Sequence, residues 1–162
     1  MKKTELRGKY KILRANLSPK KIEDSSLLIA NHVLKLPIWD RSFFHIFLTI
    51  KSLNEVETEP ILSVLAGKDK HIVLSKTDFE AKTMSHVLLQ DNTSIELNRW
   101  NIPEPKNGIP ISNQQIEVVF IPLMAFDKLG NQIGYEIFEG GKGFVGKDAI
   151  TYNEQNQEIQ LV

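Results

Sequence analysis

The stretch FFHIFLTI, residues 43–50, decides the fold class of this chain. It is a nearly continuous apolar run, rich in aromatic and β-branched residues. Such a run is typical of a strand that is buried on both faces, as in parallel sheets. Three later segments are also predicted to be strands: HIVLS (71–75), MSHVLLQ (84–90) and IEVVFIPLMAF (116–126), the last of which ends as a strand at Pro122. The polar end of the chain, TYNEQNQEIQLV (151–162), is either one edge strand or a poorly ordered terminus.

Three helices are predicted between and before these strands. The first has an apolar face whose members recur at spacings of four, three and four: Leu6, Tyr10, Leu13 and Leu17. LSPKK (17–21) ends that helix and starts a second, with a broader apolar side made of Ile22, Leu27, Leu28, Ile29 and Val33. The third has Thr58 as its N-cap, Pro60 in its first turn and Gly67 at its C-terminal stop.

The alternation of strands and helices with short connections predicts an α/β domain with a mainly parallel sheet. A length of 162 residues suits one domain, so we assign residues 1–162 to a single unit. In such sheets, ligands bind beyond the carboxyl ends of the strands. Three segments occupy that position: SLNEVET (52–58), SKTDFEAKTM (75–84) and PLMAFDKLGNQIGY (122–135).

Composition excludes several classes of function. Twenty Lys and Arg balance twenty Asp and Glu, so the chain has no overall field that would attract nucleic acid or an anionic membrane. It has no cysteine, which excludes disulfides, a thiolate nucleophile and Cys-ligated zinc. No apolar run of signal-peptide type follows the basic N-terminus, and no apolar run approaches the length of a membrane span. We therefore expect a soluble, cytoplasmic monomer that binds neither nucleic acid nor membrane.

Two charged features are candidates for binding. Lys3 and Arg7 lie four residues apart, so a helix places both on one face, where they could clamp a polyphosphate. From spacing alone, a solvated basic helix start is the commoner explanation. Glu55 follows the first buried strand and could accept N–H donors from a heterocycle. The alternative is a surface carboxylate near a helix start.

Two apolar side chains each allow two interpretations, one as a binding residue and one as a packing residue. Trp100, in NRWNIPEP (98–105), could stack on a flat ligand, or it could pack beneath a rigid loop. Met84, after a polar loop, could line a pocket or belong to the core. The four histidines show no metal-ligand spacing, and no motif for a nucleophilic serine is present. No catalytic side chain is assigned from the residues themselves.

The last candidate for a binding segment is a glycine-rich loop. GNQIGYEIFEGGKGF, residues 130–144, holds five of the nine glycines. Glycines let backbone N–H groups approach an anion closely, and Lys142 could add positive charge. Turns need glycine as well, so the loop alone is weak evidence for a phosphate site.

Taken in order, the motifs resemble the 5-formyltetrahydrofolate cyclo-ligase family, whose members are also called 5,10-methenyltetrahydrofolate synthetases. The resemblance covers roughly residues 3–135. It is carried by KTELRG (3–8), FLTI (47–50), EVETEPI (55–61), WNIPEP (100–105) and VVFIPLMAFDKLGNQIGY (118–135). It implies one compact three-layer α/β domain with helices on both faces of the sheet.

The resemblance also implies an activity and its residues. Family enzymes use ATP and Mg²⁺ to close 5-formyltetrahydrofolate into 5,10-methenyltetrahydrofolate, by phosphorylation of the formyl oxygen and attack by N10. On this resemblance the folate is contacted by Leu48, Glu55, Met84 and Trp100, with Glu55 facing the pterin. The ATP contacts that it implies are Lys3, Arg7, Gly134, Tyr135, Gly141, Lys142, Gly143 and Phe144.

The segment 135–162 diverges from the family. Gln132 stands where the family has arginine, EIFEG (136–140) is inserted, and Val145-Gly146 replaces a Tyr-Asp pair whose carboxylate helps to hold magnesium. Asp148, in KDAIT (147–151), is the remaining candidate for the metal side. Either GGKGF (140–144) is the phosphate loop displaced by the insertion, or that loop is lost. The chain is then an active ligase, a catalytically impaired folate-binding protein, or a marginally folded domain.

Overall fold

The computed structural model describes residues 3–78, 80–81, 83–126, 132–134, 150–152 and 158–160, and side chains only within 4–125. Three α-helices are present: α1 (Lys3–Ala15), α2 (Pro19–Val33) and α3 (Glu59–Gly67). The strands are β1 (Phe43–His45), β2 (His71–Asp78), β3 (Thr83–Leu88), β4 (Ile95–Leu97), β5 (Pro103–Pro105), β6 (Ile109–Ile111), β7 (Val118–Val119), β8 (Leu123–Phe126), β9 (Gln132–Gly134), β10 (Ile150–Tyr152) and β11 (Glu158–Gln160).

The main sheet has the strand order β6-β3-β2-β1-β7, which confirms the predicted α/β class. The β1 strand pairs in parallel with both β2 and β7. The β2–β3 and β3–β6 pairs are antiparallel, so the sheet is mixed. Parallel pairing needs a crossover of a dozen or more residues, and the four residues between Asp78 and Thr83 allow only a hairpin. Antiparallel pairs also join β4 to β5, β8 to β9 and β10 to β11.

Two predicted strands are shorter than the apolar runs that indicated them. Within residues 43–50 only β1 is a strand, and the chain then enters a 3-10 turn, Lys51–Leu53, which Asn54 ends in the left-handed region at φ 49°. The run 116–126 is divided into β7 and β8 around Pro122, which has no N–H for a ladder. At the chain end, the described residues form two short strands in place of one edge strand, because β10 pairs antiparallel with β11.

The core lies between the sheet and helices α2 and α3. One sheet face contributes the alternate residues Phe44, Ile46, Ile72 and Leu74, and the helices contribute Ala30, Val33, Ile61 and Leu65. The predicted helical faces were only partly correct, because Leu13, Leu17, Leu27, Leu28 and Ile29 are all exposed. The buried side of α2 instead includes Ser26, whose hydroxyl donates to Ile22 O at 2.7 Å and accepts from Glu57 N at 2.9 Å.

The start of β1 is fixed by a carboxylate from the neighbouring strand segment. Glu117 Oε2 accepts hydrogen bonds from Ser42 N at 2.7 Å and Phe43 N at 2.9 Å. The bonds from Phe43 and then Ser42 lower the pKa of Glu117. This carboxylate therefore helps to set the register of β1 against β7.

Gly108, just before β6, lies against β3 with no room for a side chain. A Cβ placed there would lie 2.9 Å from Val87 Cβ and 3.1 Å from Leu88 O. We expect Gly108→Ala to lower the free energy of unfolding by about 1–3 kcal/mol, because β3 and β6 would have to separate. Urea denaturation would measure this. The matched control is Gly8→Ala in α1, where nothing lies within 4 Å and a gain of about 0.5–1 kcal/mol is expected. Equal stability of the two variants would contradict the steric explanation.

Candidate active site

Glu55 lies in a tight turn between β1 and α3. Its side chain is buried, with only 5% of the residue exposed, and its Oε2 accepts from Ile50 N at 2.9 Å. Thr49 closes the same turn, since its Oγ1 accepts from Thr58 N and donates to Val56 O, both at 2.9 Å. Thr58 precedes α3 as predicted, but its side chain makes no capping bond to the helix. These bonds hold the Glu55 carboxylate in one position.

The electrostatic environment of Glu55 combines burial with a nearby cation. Burial raises the pKa of Glu55, and this is opposed by the Ile50 N–H bond and then by the positive charge of Arg14 in α1. Asn54 ties the turn to α1, because its Nδ2 donates to Arg14 O at 3.3 Å and Ala15 O at 3.4 Å. The turn that carries Glu55 is therefore attached to the helix that carries Lys3 and Arg7.

The other predicted nucleotide contacts are placed only in part. Lys3 begins α1, and Arg7 follows one turn later, half-buried. The same helix packs beside β8, the strand that leads into the glycine-rich segment. Gly134 is the last residue of β9. The remaining contacts lie outside the described residues: Tyr135, Gly141, Lys142, Gly143, Phe144 and the metal candidate Asp148.

A cavity of about 580 Å³, which we call the Trp100 cavity, lies beside the β2–β3 hairpin. Its described lining residues are Lys76, Thr77, Asp78, Glu80, Ser85, Asn98, Arg99, Trp100 and Glu104. Trp100 remains 45% exposed, and the Arg99 guanidinium lies 3.9 Å from the centroid of its ring. Of the lining, our sequence assignments included only Trp100. Two stretches singled out from the sequence contain the rest except Ser85: SKTDFEAKTM (75–84) after the second strand, and NRWNIPEP (98–105).

The wall of this cavity is fixed by side-chain bonds to the backbone. Asn98 Oδ1 accepts from Trp100 N at 2.9 Å and Ile102 N at 3.1 Å, and Asn101 takes the left-handed conformation at φ 59°. Glu104 is buried, and its Oε1 accepts from Thr77 N at 2.8 Å. The turn that carries Trp100 is therefore attached to the end of β2.

The four predicted folate contacts occupy different places. Leu48 is half-buried against the core, and neither it nor Glu55 is among the described lining residues of the Trp100 cavity. Met84 is 41% exposed on β3, where it pairs with Thr77, and it is not among the described lining residues of the cavity. Glu55 and Trp100 are therefore not both among the described lining residues of one cavity, and the assignment of all four to one substrate stays a prediction.

A buried histidine pair occupies the sheet face opposite the main core. His45 Nε2 is hydrogen-bonded to Ser75 Oγ at 2.5 Å, and the rings of His45 and His86 meet edge to face with centroids 5.5 Å apart. The Nδ1 atoms of both rings are buried and have no hydrogen-bond partner among the described residues. Burial, and then the charge of His86, lowers the pKa of His45 to about 4, and burial also lowers the pKa of His86. Both rings are therefore neutral at pH 7.

Comparison with known proteins shows which family the chain belongs to. The sequence profile of the 5-formyltetrahydrofolate cyclo-ligase family matches residues 1–162. The chain belongs to that family. Among curated cyclo-ligases, the Haemophilus influenzae protein is 27% identical over 98% of this chain and 82% of its own length. The mouse protein is 29% identical over 91% of this chain and 72% of its own.

Solved structures support the same membership in the cyclo-ligase family. The Aquifex aeolicus 5,10-methenyltetrahydrofolate synthetase superposes with a TM-score of 0.71 at 26% identity, over 89% of this chain and 70% of that one. The Mycoplasma pneumoniae synthetase has a TM-score of 0.59 at 18% identity, over 85% and 73% of the two chains, and shows the shared fold. The predicted family is therefore confirmed.

Two further observations on this cyclo-ligase family member concern metal ligands and membrane-spanning helices. Within the described ranges, no three His, Asp or Glu side chains gather where they could hold a metal ion. A magnesium site made by three such side chains would therefore need residues outside those ranges, among which Asp148 is the one predicted from sequence. No helix in the described part of the chain is long and apolar enough to cross a membrane.

Proposed function

We propose that this chain converts 5-formyltetrahydrofolate to 5,10-methenyltetrahydrofolate with ATP and Mg²⁺ as co-substrate and metal. The observation that carries the proposal is the family match over the whole of residues 1–162. The buried Glu55 carboxylate, in the motif EVETEPI, supports it, because a fixed acceptor of this kind suits the N–H groups of a pterin. We further propose a cytoplasmic monomer without a nucleic-acid or membrane partner.

The proposed reaction has two steps. The formyl oxygen attacks the γ-phosphorus of ATP and ADP leaves, which turns a poor leaving group into a phosphate ester. N10 of the folate then attacks the activated carbon, the new C–N bond forms, the C–O bond breaks, and phosphate and the N10 proton depart. Positioning and neutralisation of charge dominate catalysis of such transfers. Mg²⁺, when bound, would neutralise phosphate charge.

The proposed roles of the residues follow from their positions. Glu55 orients the pterin from the turn after β1, and Lys3 and Arg7 receive phosphates from the first turns of α1. The packing of α1 beside β8 supports a common site with the glycine-rich segment, because that segment continues from β8. Gly134, Tyr135, Gly141, Lys142, Gly143 and Phe144 would then contact ATP, and Asp148 would face the metal.

The test is a single assay. The purified chain is mixed with 5-formyltetrahydrofolate and Mg-ATP, and the near-ultraviolet absorbance of the methenyl product is followed. Growth of that absorbance with ATP, and none without it, is the expected result. A flat trace from a sample with a cooperative thermal transition would overturn the proposal.

The second candidate function is folate binding without turnover. It is favoured by the glutamine at position 132, where the family resemblance places an arginine, and by the loss of the Tyr-Asp pair after Phe144. An arginine can bind phosphate through two parallel hydrogen bonds, and glutamine cannot replace its charge. This candidate predicts folate affinity without any methenyl product.

Restoring the arginine tests whether position 132 limits the reaction. We expect Gln132→Arg to raise kcat by about tenfold, because one charge-assisted hydrogen bond to the transferring phosphoryl group is worth at least about 1.4 kcal/mol. The methenyl assay measures this under saturating folate. Gln132→Lys is the matched control, since it adds charge without the two-pronged geometry and should give a smaller gain. A kcat unchanged by Gln132→Arg would show that this position does not contact the phosphates.

A further inference from the structure

We propose that Asn54 is a positioning residue that couples the nucleotide side of the site to the folate side. Phosphate binding at the start of α1 then strengthens folate binding at Glu55, although the two ligands contact different segments of the chain. This inference rests on the proposed function, because it concerns how the binding of one substrate affects the binding of the other.

Asn54 ends the 3-10 turn that leads into Glu55. Its backbone is left-handed, at φ 49°, and its N–H donates to Lys51 O at 3.1 Å. Asparagine is one of the few residues that take this conformation readily. Its side chain reaches α1, whereas the side chain of the next residue, Glu55, is buried and accepts from Ile50 N. Two neighbouring side chains thus connect the first helix to the proposed pterin carboxylate.

The joint between Asn54 and α1 uses the free carbonyls of a helix end. Asn54 Nδ2 donates to Arg14 O at 3.3 Å and to Ala15 O at 3.4 Å, and both acceptors lie in the last turn of α1. Carbonyls in the last turn of a helix have no partner within the helix, so a side-chain amide can bind them. Both bonds are longer than the roughly 2.7–3.2 Å that is usual. The joint is therefore weak in the free chain and can tighten when a ligand holds α1.

The opposite end of the same helix carries the proposed phosphate contacts. Lys3 begins α1 and Arg7 follows one turn later, in a helix of 13 residues without a break. A phosphate that holds the first turns of this rod also restrains its last turn, to which Asn54 is bonded. The turn that carries Glu55 then loses less conformational freedom when the folate binds, which is a source of positive coupling between two ligands.

Charge links the same two elements. Burial raises the pKa of Glu55, and the Ile50 N–H bond and then the positive charge of Arg14 oppose that rise. A helix held against the turn keeps the charge of Arg14 near the carboxylate. It therefore favours the ionised form of Glu55, which is the form that accepts the N–H groups of a pterin.

The experiment measures the affinity for 5-formyltetrahydrofolate with and without the Mg²⁺ complex of β,γ-imido-ATP, an analogue whose γ-phosphoryl group is not transferred. In the wild-type chain we expect the saturating analogue to strengthen folate binding about fivefold to tenfold, which is within the usual range of coupling between sites. In Asn54→Gly this ratio of affinities should fall below about twofold. Glycine accepts a φ of 49° without strain, so the variant removes the amide and keeps the turn.

Asp69→Gly is the matched control. Asp69 is also left-handed, at φ 52°, and it is exposed. It precedes β2, whereas Asn54 follows β1, so the parallel pairing of these strands places the two residues at opposite edges of the sheet. Asp69→Gly should keep the wild-type ratio.

A second readout is the hydrogen exchange of the Ile50 N–H, which reports whether the Glu55 carboxylate stays in position. The analogue alone should slow this exchange about fivefold in the wild-type chain, matching the coupling expected for folate, and should leave it unchanged in Asn54→Gly. No folate is present, so this readout does not depend on turnover.

The outcomes distinguish this inference from the proposed function. A ratio lost in Asn54→Gly and kept in Asp69→Gly supports the inference, whether or not methenyl product forms. It is overturned, even if the chain turns over 5-formyltetrahydrofolate, by a wild-type ratio near one, by a ratio that Asn54→Gly keeps, or by slower exchange in α1 without slower exchange at Ile50. Equal loss in both variants also overturns it, because the loss then follows from general destabilisation. An analogue that affects neither α1 nor Ile50 overturns this inference and the ATP assignment together.

Discussion

Replacement of Glu55 by glutamine is expected to lower kcat/KM for 5-formyltetrahydrofolate by about 100-fold while the fold persists. The single side-chain oxygen of the glutamine can still accept from Ile50 N, as Oε2 of Glu55 does at 2.9 Å. An NH₂ donor takes the place of the second carboxylate oxygen of Glu55, and it would face the N–H groups of the pterin. A lost hydrogen bond to a charged group costs about 1.5–3 kcal/mol, and the new donor adds a mismatch.

The control for Glu55→Gln is the same substitution two residues along the same turn. Glu57 is half-buried, and its hydrogen bond to Ser26 Oγ is donated by the backbone N–H, which the substitution does not change. Glu57→Gln should leave kcat/KM within about twofold, within the ±0.5 kcal/mol usual for changes away from a site. Folate affinity, measured by fluorescence without ATP, should fall in parallel with kcat/KM in Glu55→Gln. Wild-type affinity in Glu55→Gln would contradict its role against the pterin.

The pH dependence of folate affinity gives the same assignment a second readout. Burial raises the pKa of Glu55, so its carboxylate becomes protonated at a higher pH than an ordinary glutamate. Affinity should therefore fall as the pH is lowered towards that raised pKa, and Glu55→Gln should lack this dependence.

The largest expected effect on stability is a loss of roughly 3 kcal/mol between pH 6.5 and pH 4, caused by His45. Its pKa is lowered from 6.5 to about 4 in the folded chain by burial and by His86. Above pH 6.5 the ring is neutral in both folded and unfolded states, so it has no effect. Between these values the unfolded chain binds a proton that the folded chain excludes, and stability falls by about 1.4 kcal/mol per pH unit. Below pH 4 the penalty is constant.

Urea denaturation at half-unit steps of pH would measure this slope. His45→Gln should flatten it between pH 6.5 and pH 4, because glutamine does not titrate and can still bond to Ser75. His71→Gln is the control, since His71 is exposed at the start of β2. His86 also has a lowered pKa, so the slope that remains in His45→Gln should be shallower still in the double variant. An unchanged slope in that double variant would show that these rings are not the acid-sensitive groups.

Much of the fold and part of the site could be predicted from short stretches of sequence. The spacing of Leu6 and Tyr10, and the Thr58-to-Gly67 signals, each located a helix to within a few residues. EVETEPI and WNIPEP drew attention to Glu55 and Trp100 before any geometry was known. The strand ends were less predictable: an apolar run such as 43–50 continues beyond the point where its neighbour strand stops pairing.

The sequence by itself determined the α/β class, the three helices and the family, because each depends on local periodicity or on motifs in a fixed order. Tertiary structure alone decided the mixed sheet, the burial of Glu55 and the contents of the Trp100 cavity. It also brought His45 to Ser75, 30 residues away along the chain. These features depend on strand register and on which segment covers which face. Such pairings are set by the packing of the whole chain, so no single stretch of residues encodes them.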